Sequence, residues 1–362
     1  MKRAAPFSIV FALVLLPFVA LANTKHDFKH EKQKTIKKIF SVNSNATLKV
    51  TNDYGNIDVI TWNENKIAID VTITTSGDDE DQILKKLNEI DVEFTASESY
   101  VSAKTIFNKN QSKSWWNWTR KNVIMKINYI IKIPKKGNLD LNNDYGNINL
   151  GKMEGRVVIN CDYGKITTKE LMASDNSINF DYTQGCYFEF INGGDIDADY
   201  SEFTVSKTKN LDISADYTNS KIEAAENITF NCDYGKIEIE NANNIDGDGD
   251  YLTTIIGNVY QSLNLEADYG SIKIDRINEK VKQVDINTDY VGIKLGYADT
   301  AHFKFMFDIQ YSNLDEQGSN LEFTKKKKET FSRYYEGFYG NESAEMLIKI
   351  ESDYGNITLF KN

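Results

Sequence analysis

Apolar residues recur at every second position in short stretches on both sides of a repeated Asp-Tyr dipeptide. Leu211, Ile213 and Ala215 alternate with polar residues before Asp216-Tyr217, and the alternation resumes three residues after each tyrosine. A period of two is typical of β-strands that bury one face. Each repeat therefore predicts two short strands joined at a corner that contains the dipeptide.

The dipeptide occurs eleven times, and Gln310-Tyr311 is a degenerate twelfth copy. From Tyr145 to Tyr311, successive tyrosines lie 17–21 residues apart. A unit this short cannot bury its own apolar face, whereas stacked copies can. The sequence thus predicts an all-β fold, a parallel β-solenoid (β-helix) of about 17–21 residues per coil, with an antiparallel sandwich as the competing architecture. Its structural repeat positions include Tyr54, Tyr145, Tyr163, Tyr234, Tyr269 and Tyr354.

The residues around the dipeptide lead to three expectations for the corner. The residue two before the tyrosine is usually small or polar, as at Ala215, so the tyrosine is expected to face inward beside it. The glycine after many of the tyrosines, such as Gly146, is expected to supply a positive φ. The aspartate is expected to point outward and to accept hydrogen bonds from the amides of the following turn.

Outward carboxylates in successive coils also allow a calcium ladder, which is the less favoured alternative because each corner supplies only one carboxylate. The aspartates that would form it are Asp144, Asp162, Asp181, Asp199, Asp216 and Asp233.

Two segments interrupt the repeats. Residues 36–134 hold the first coil and a small α/β insertion, in which 78–90 predict a helix that caps one end of the stack. The remaining coils occupy 135–362, with an insert at about 316–344 that is expected to form a hairpin or loop.

The N-terminus has the pattern of an exported protein. Residues 1–22 combine basic residues, an apolar run and small residues, which predicts a signal peptide. Residues 23–35 form a basic leader before the first strand. No later segment is apolar enough for a transmembrane helix, so the expected location is the periplasm, the outer-membrane surface or the medium. The spacing of the three cysteines predicts no disulfide.

Composition narrows the possible functions. The formal charge of −11 argues against nucleic acid as a partner. Three histidines and three cysteines leave little material for a metal site, and no other cofactor is predicted. The acids recur in every coil, which indicates structure rather than one catalytic centre, so no catalytic residue is assigned.

A tryptophan-rich segment supplies the candidate ligand-binding residues. Trp115, Trp116 and Trp118 lie beside Arg120, in a locally basic stretch of an acidic chain. Exposed, they would suit carbohydrate rings or a membrane headgroup layer. The alternative is a hairpin whose tryptophans pack against the solenoid.

Several of these motifs together resemble the putative adhesin family of exported bacterial β-helix proteins. The resemblance rests on the segment from Leu48 to Val59, on Thr61-Trp62, on Ile133-Pro134 and on the Tyr-Gly-x-Ile units, and it covers about 36–362. It implies envelope placement in Gram-negative bacteria and binding, with no catalytic residues. Several tyrosines depart from the pattern, because Thr, Ser, Leu or Val follows them.

The leading hypothesis is a non-enzymatic adhesin or structural scaffold of the cell envelope or surface, with a carbohydrate or another envelope component as partner. The alternatives are a carbohydrate-active β-helix enzyme and a periplasmic structural or envelope-stress protein.

Overall fold

The computed structural model describes residues 28–107 and 123–362, and these contain 24 strands and one helix. The elements are β1 (His30–Ser41), β2 (Thr47–Asp53), β3 (Ile57–Trp62), β4 (Lys66–Gly77), α1 (Glu80–Glu89), β5 (Ile90–Ala96), β6 (Tyr100–Phe107), β7 (Ile124–Pro134), β8 (Asn138–Asp144), β9 (Ile148–Leu150), β10 (Val157–Asp162), β11 (Ile166–Leu171), β12 (Asn176–Asp181), β13 (Cys186–Asp199), β14 (Glu202–Ser214), β15 (Asn219–Asn231), β16 (Gly235–Asp250), β17 (Leu252–Ile277), β18 (Gln283–Tyr297), β19 (Phe303–Gln310), β20 (Leu314–Asp315), β21 (Glu322–Lys328), β22 (Ser332–Tyr339), β23 (Met346–Asp353) and β24 (Ile357–Lys361).

All the described strands belong to one large, open, mixed sheet, so the chain is all-β with one short helix. Successive repeats pair in parallel, and each residue lies beside its equivalent in the next repeat. Ile196 pairs with Ile213, and Ile213 with Phe230. These inward positions are buried in every repeat, so the core is a series of apolar columns that follow the direction of stacking.

Antiparallel pairs occur only near the two ends of the described sheet. At the N-terminal end β1 pairs with β4, β4 with β7, and β5 with β6. The helix α1 contacts β4, β1 and β5, burying Ile83 and Leu87, and the side chain of Asp79 caps its N-terminus by accepting from the Gln82 amide. The predicted helix is therefore confirmed, and it lies against the end of the repeats.

The basic leader expected over 23–35 is wrong in its second half. His30–Ser41 is a twelve-residue strand whose every residue pairs with β4. Lys32 and Lys34 are themselves partly buried there, Lys32 pairing with Glu80 of α1 and Lys34 donating to the Ile90 carbonyl, and charged residues on an outermost strand discourage pairing with another chain.

The insert near 316–344 forms the predicted hairpin. Strands β21 and β22 pair antiparallel, and β22 also pairs antiparallel with β19. The outermost strand, β21, carries Lys325, Lys326, Lys327 and Lys328. One outermost strand at each end of the described sheet, β1 and β21, is therefore rich in lysine.

The order of the last repeats in space differs from their order in the chain. Strand β23 lies between β18 and β19, pairing in parallel with both. The final Asp353-Tyr354 repeat therefore occupies the place between the repeats of Tyr290 and Tyr311. After β18 the chain leaves a gap one strand wide and forms β19, then the β21–β22 hairpin, and β23 finally occupies the gap between β18 and β19.

The tyrosines face outward, which corrects the expectation that they point into the core. Every repeat tyrosine has a positive φ of 50–63°. A residue in this left-handed region reverses the side to which the next side chains point, so alternation counted through Ala215 and Tyr217 predicts the wrong face. Ala215 is buried as expected, whereas Tyr217 is half exposed.

The glycines after the tyrosines serve close packing and do not supply the positive φ. A Cβ added to Gly146 would lie 1.9 Å from the Gly55 carbonyl oxygen in the neighbouring repeat. At Gly355 it would lie 1.9 Å from the carbonyl oxygen of Val291. Glycine is needed here because the backbones of neighbouring repeats approach too closely for any side chain.

The inner column beside the corner also contains cysteine and asparagine. Cys161 and Cys232 in this column, and Cys186 at the start of β13, are buried free thiols, and burial raises the pKa of both Cys161 and Cys232 to about 12. Such thiols are poor nucleophiles. Asn52 donates to the Oδ1 of Asn143 in the next repeat at 2.9 Å, which links two polar core residues.

Candidate binding surface: a tyrosine ladder and a column of aspartates

The repeat tyrosines form one continuous stack on the surface, here called the tyrosine ladder. Neighbouring ring centroids lie 4.6–5.3 Å apart, and the ring planes differ by 2–7°. Each ring remains 36–53% exposed. In spatial order the ladder consists of Tyr54, Tyr145, Tyr163, Tyr182, Tyr200, Tyr217, Tyr234, Tyr251, Tyr269, Tyr290, Tyr354 and Tyr311.

Each end of the ladder is covered by a phenylalanine from one of the interrupting segments. The ring of Phe107 meets Tyr54 edge to face at 6.5 Å, and Phe331 stacks on Tyr311 at 5.0 Å. The faces of the rings are thus occupied by other rings. What the ladder presents to solvent is a row of ring edges and phenolic hydroxyls.

Several phenols of the ladder have a pKa above that of a free tyrosine. Burial and the neighbouring phenols raise the pKa of Tyr200, Tyr234 and Tyr269 above its usual range. Within the described residues, none of the ladder hydroxyls is hydrogen bonded to the protein. The row can therefore both donate and accept hydrogen bonds with a ligand.

The backbone of each corner is tied to the next repeat. The amide of Tyr217 donates to the carbonyl oxygen of Asp233 at 2.9 Å, and equivalent bonds recur along the ladder. These bonds hold the tyrosines at the spacing of the strands, which explains the constant distance between rings.

The corner aspartates form a column beside the ladder, and their hydrogen bonds differ from the expected turn contacts. The carboxylate of Asp216 accepts the amide of Asp233 in the next repeat at 3.2 Å, and that of Asp233 accepts the amide of Asp250 at 2.8 Å. The aspartates thus link repeats. They point outward as expected, and they range from half-buried to exposed.

Crowding affects the charge of several of these carboxylates. Burial and the charge of neighbouring aspartates raise the pKa of Asp162 and Asp250 above its usual range. Within residues 28–107 and 123–362, no group of three or more His, Cys, Asp and Glu side chains is placed to hold a metal ion. The aspartates of the hypothetical calcium ladder, from Asp144 to Asp233, all lie in the column, and Asp181, Asp199, Asp216 and Asp233 each accept the amide of the next repeat's aspartate.

The sequence-based ligand candidates and the surface seen in the structure do not coincide. Trp115, Trp116, Trp118 and Arg120 lie outside the described residues. For the tyrosines of the ladder, by contrast, the sequence predicts only a structural repeat. The signal for it was present in the loss of phase between each tyrosine and the next apolar residue, which is what a left-handed corner produces.

Comparisons with known proteins give only distant structural likenesses. No family model and no curated protein matches the chain. A structure described as a putative cell adhesion protein from Clostridium sporogenes is 12% identical, covering 91% of this chain and 100% of its own, with a TM-score of 0.18. From Parabacteroides distasonis, a putative adhesin is 9% identical, covering 90% of this chain and 97% of its own, with a TM-score of 0.33. A putative lipid binding protein from the same species is 11% identical, covering 90% and 96%, with a TM-score of 0.29.

All three TM-scores are below 0.5, so no property of these proteins is carried over to this chain. Among the described residues, no helix has the length and apolar character needed to cross a membrane.

Proposed function

We propose that the chain is an exported, non-enzymatic protein of the cell envelope or surface that acts as an adhesin or structural scaffold. Its repeats would wind as a parallel β-solenoid, and the tyrosine ladder would be its contact surface. The observation that carries the proposal is the ladder itself, which is an exposed, regularly spaced aromatic strip along the whole stack of repeats.

The parallel pairing of equivalent residues supports the solenoid. Ile228 of one repeat lies between Leu211 and Ile245 of its two neighbours, and the same holds for the residues around it. Strands bonded on both edges resist local opening because each backbone group has a partner. A stack of this kind is stiff, and a stiff frame keeps a long surface in one shape.

The ladder suits an extended ligand better than a compact one. Twelve rings at strand spacing make a strip about 50 Å long. Because the ring faces are covered, a ligand would meet ring edges and hydroxyls spaced about one sugar unit apart. An envelope polysaccharide that lies along the strip is therefore the first partner to test.

Placement in the cell is tested by labelling intact cells with an amine reagent that cannot cross membranes. The described chain has exposed lysines suited to this, among them Lys327 and Lys328. We expect labelling of intact cells for a surface protein, or labelling after the outer membrane alone is opened for a periplasmic one. Labelling that requires disruption of the inner membrane would contradict the proposal. A known periplasmic protein and a known cytoplasmic protein serve as controls.

A further inference from the structure

A groove of 410 Å³ lies on the sheet face that follows the corner. It is lined mainly by the outward residues two and four positions after Tyr251, Tyr269, Tyr290 and Tyr354, which are consecutive rings of the ladder. Ligand sites in proteins commonly have volumes of about 300–1,000 Å³. The groove is therefore large enough to hold one unit of a ligand that also contacts the ladder.

A glycine that the fold does not require gives the groove part of its depth. Gly292 faces outward between the buried residues Val291 and Ile293, in register with Ser271 of the neighbouring strand. Its φ is not positive, and a Cβ placed on it would meet nothing within 4 Å. Glycine inside a strand costs stability, so neither the backbone nor the packing explains its presence. What glycine supplies at such a position is room for a molecule that approaches the sheet closely.

Two lysines lie side by side in the groove. Lys273 and Lys294 are in register on neighbouring strands, about 4.8 Å apart at the backbone. Lys273 pairs with Asp275 at 2.7 Å, whereas no carboxylate of the described residues lies within 4.0 Å of the Lys294 nitrogen. Like charges directly opposite each other destabilise a sheet. An anion beside Lys294 relieves this repulsion, so the groove favours a negatively charged ligand.

The remaining lining residues suit a ligand that carries hydroxyl groups. The Oδ1 of Asn356 accepts the amide of Asn313 at 3.0 Å, which fixes the orientation of the amide group and directs its Nδ2 donor away from that bond. The hydroxyls of Thr253 and Ser271 line the groove on exposed residues, and Ile255 adds a half-buried apolar surface. A few polar groups around an apolar patch can orient a sugar ring.

We propose that this groove binds an acidic sugar unit, a hexuronate whose carboxylate lies at Lys294 and whose hydroxyls bond Ser271 and Asn356. The proposal rests on the contact function proposed above and names its substrate class, a polysaccharide that contains uronic acids.

The negative charge of the chain does not prevent this binding. At physiological ionic strength, charges on the surface interact over about 8 Å. Two acids of this face are already neutralised by lysines, because Asp275 pairs with Lys273 at 2.7 Å and Glu238 with Lys236 at 2.6 Å. The cation that faces the ligand without a partner is Lys294.

The proposal is tested by isothermal titration calorimetry of the purified chain with tetragalacturonate at millimolar concentration. The fully methyl-esterified tetramer has the same skeleton without the charges and serves as the ligand control. Lys294→Gln removes the free cation, and Gly292→Leu fills the groove. Lys165→Gln and Asn219→Leu are the matched variants, because both residues are exposed, lie two positions after a ladder tyrosine and are outside the groove. Circular dichroism and thermal melting verify that all four variants remain folded.

We expect Lys294→Gln and Gly292→Leu each to bind tetragalacturonate about tenfold more weakly than the unmodified chain, since one loses a charge-assisted hydrogen bond and the other the space for the sugar. The matched variants should bind within about threefold of it. Equal binding of the acid and its ester, equal weakening by Lys294→Gln and Lys165→Gln, or no binding of tetragalacturonate by the unmodified chain would each overturn the proposal. None of these results affects the envelope role, whose own test is labelling of intact cells.

Discussion

The ring of Tyr354 stacks on the ring of Tyr290 at 4.6 Å, although Tyr311 lies between them in the sequence. On its other face Tyr354 stacks on Tyr311, also at 4.6 Å. The tyrosine of the last repeat therefore occupies an internal position of the ladder, between the tyrosines of two earlier repeats. The stack of rings is therefore unbroken at this point, although the three tyrosines do not follow one another in sequence order.

Two replacements of Tyr217 distinguish the stabilisation from ring stacking from the energetic cost of the positive φ at this residue. Tyr217→Ala removes two ring contacts of 4.9 Å and should lower the free energy of unfolding by about 1–3 kcal/mol. Tyr217→Gly removes the same contacts, but glycine adopts the φ of 53° at this position without the steric cost that a Cβ imposes. We expect the glycine variant to be about 1 kcal/mol more stable than the alanine variant. Chemical denaturation measures both, and an alanine variant of equal or higher stability would contradict the left-handed corner.

How much of this fold follows from the sequence is clear at this corner. Alternation at Leu211, Ile213 and Ala215 correctly predicts buried positions, and the recurrence of Asp-Tyr correctly predicts the repeat. The orientation of Tyr217 does not follow, because a period of two gives no information about the one residue that leaves the extended region. The insertion of the last repeat between two earlier ones depends on contacts between distant segments, which local patterns do not encode.

The glycines of the corner differ in how much space surrounds them, and this predicts opposite outcomes for the same substitution. Gly146→Ala places a methyl group 1.9 Å from a backbone carbonyl oxygen of the neighbouring repeat. Two paired strands would have to separate, so we expect a loss of at least about 3 kcal/mol. The readout is the midpoint of thermal or urea unfolding.

Gly292→Ala is the matched control, because a Cβ there meets nothing within 4 Å and no positive φ is involved. We expect no loss, or a gain of up to about 1 kcal/mol from the less flexible unfolded chain. Similar destabilisation by both substitutions would contradict close packing as the reason for Gly146.

Acidic pH should relieve repulsion among the outward-facing acids that precede the ladder in each repeat. Burial and the charges of Asp199 and Asp181 raise the pKa of Asp197, and burial and the charge of Glu266 raise the pKa of Asp248. For an acid whose pKa is higher in the folded state, the folded protein binds the proton more tightly. Ionisation of these two groups therefore lowers stability as the pH rises through their folded pKa, and acidification restores it.

The double variant Asp197→Asn/Asp248→Asn removes this effect. At pH 7 we expect it to be more stable than the unmodified chain by a few tenths of a kcal/mol, because both side chains are exposed. Below the usual aspartate pKa the difference should vanish. Unfolding by urea at pH 7 and pH 3.5 measures it, and an equal difference at both pH values would contradict charge repulsion as the cause.

The contact role of the tyrosine ladder is tested most directly by binding of the purified chain to envelope polysaccharide from its own cells. The ladder variant carries Tyr200→Asn and Tyr234→Asn, since asparagine tolerates the left-handed region. The control variant carries Tyr187→Asn and Tyr260→Asn, which replace tyrosines of similar exposure outside the ladder. Both must melt cooperatively before they are compared. We predict that the ladder variant loses most of its binding while the control keeps it, and equal binding by all three proteins would contradict the ladder as the contact surface.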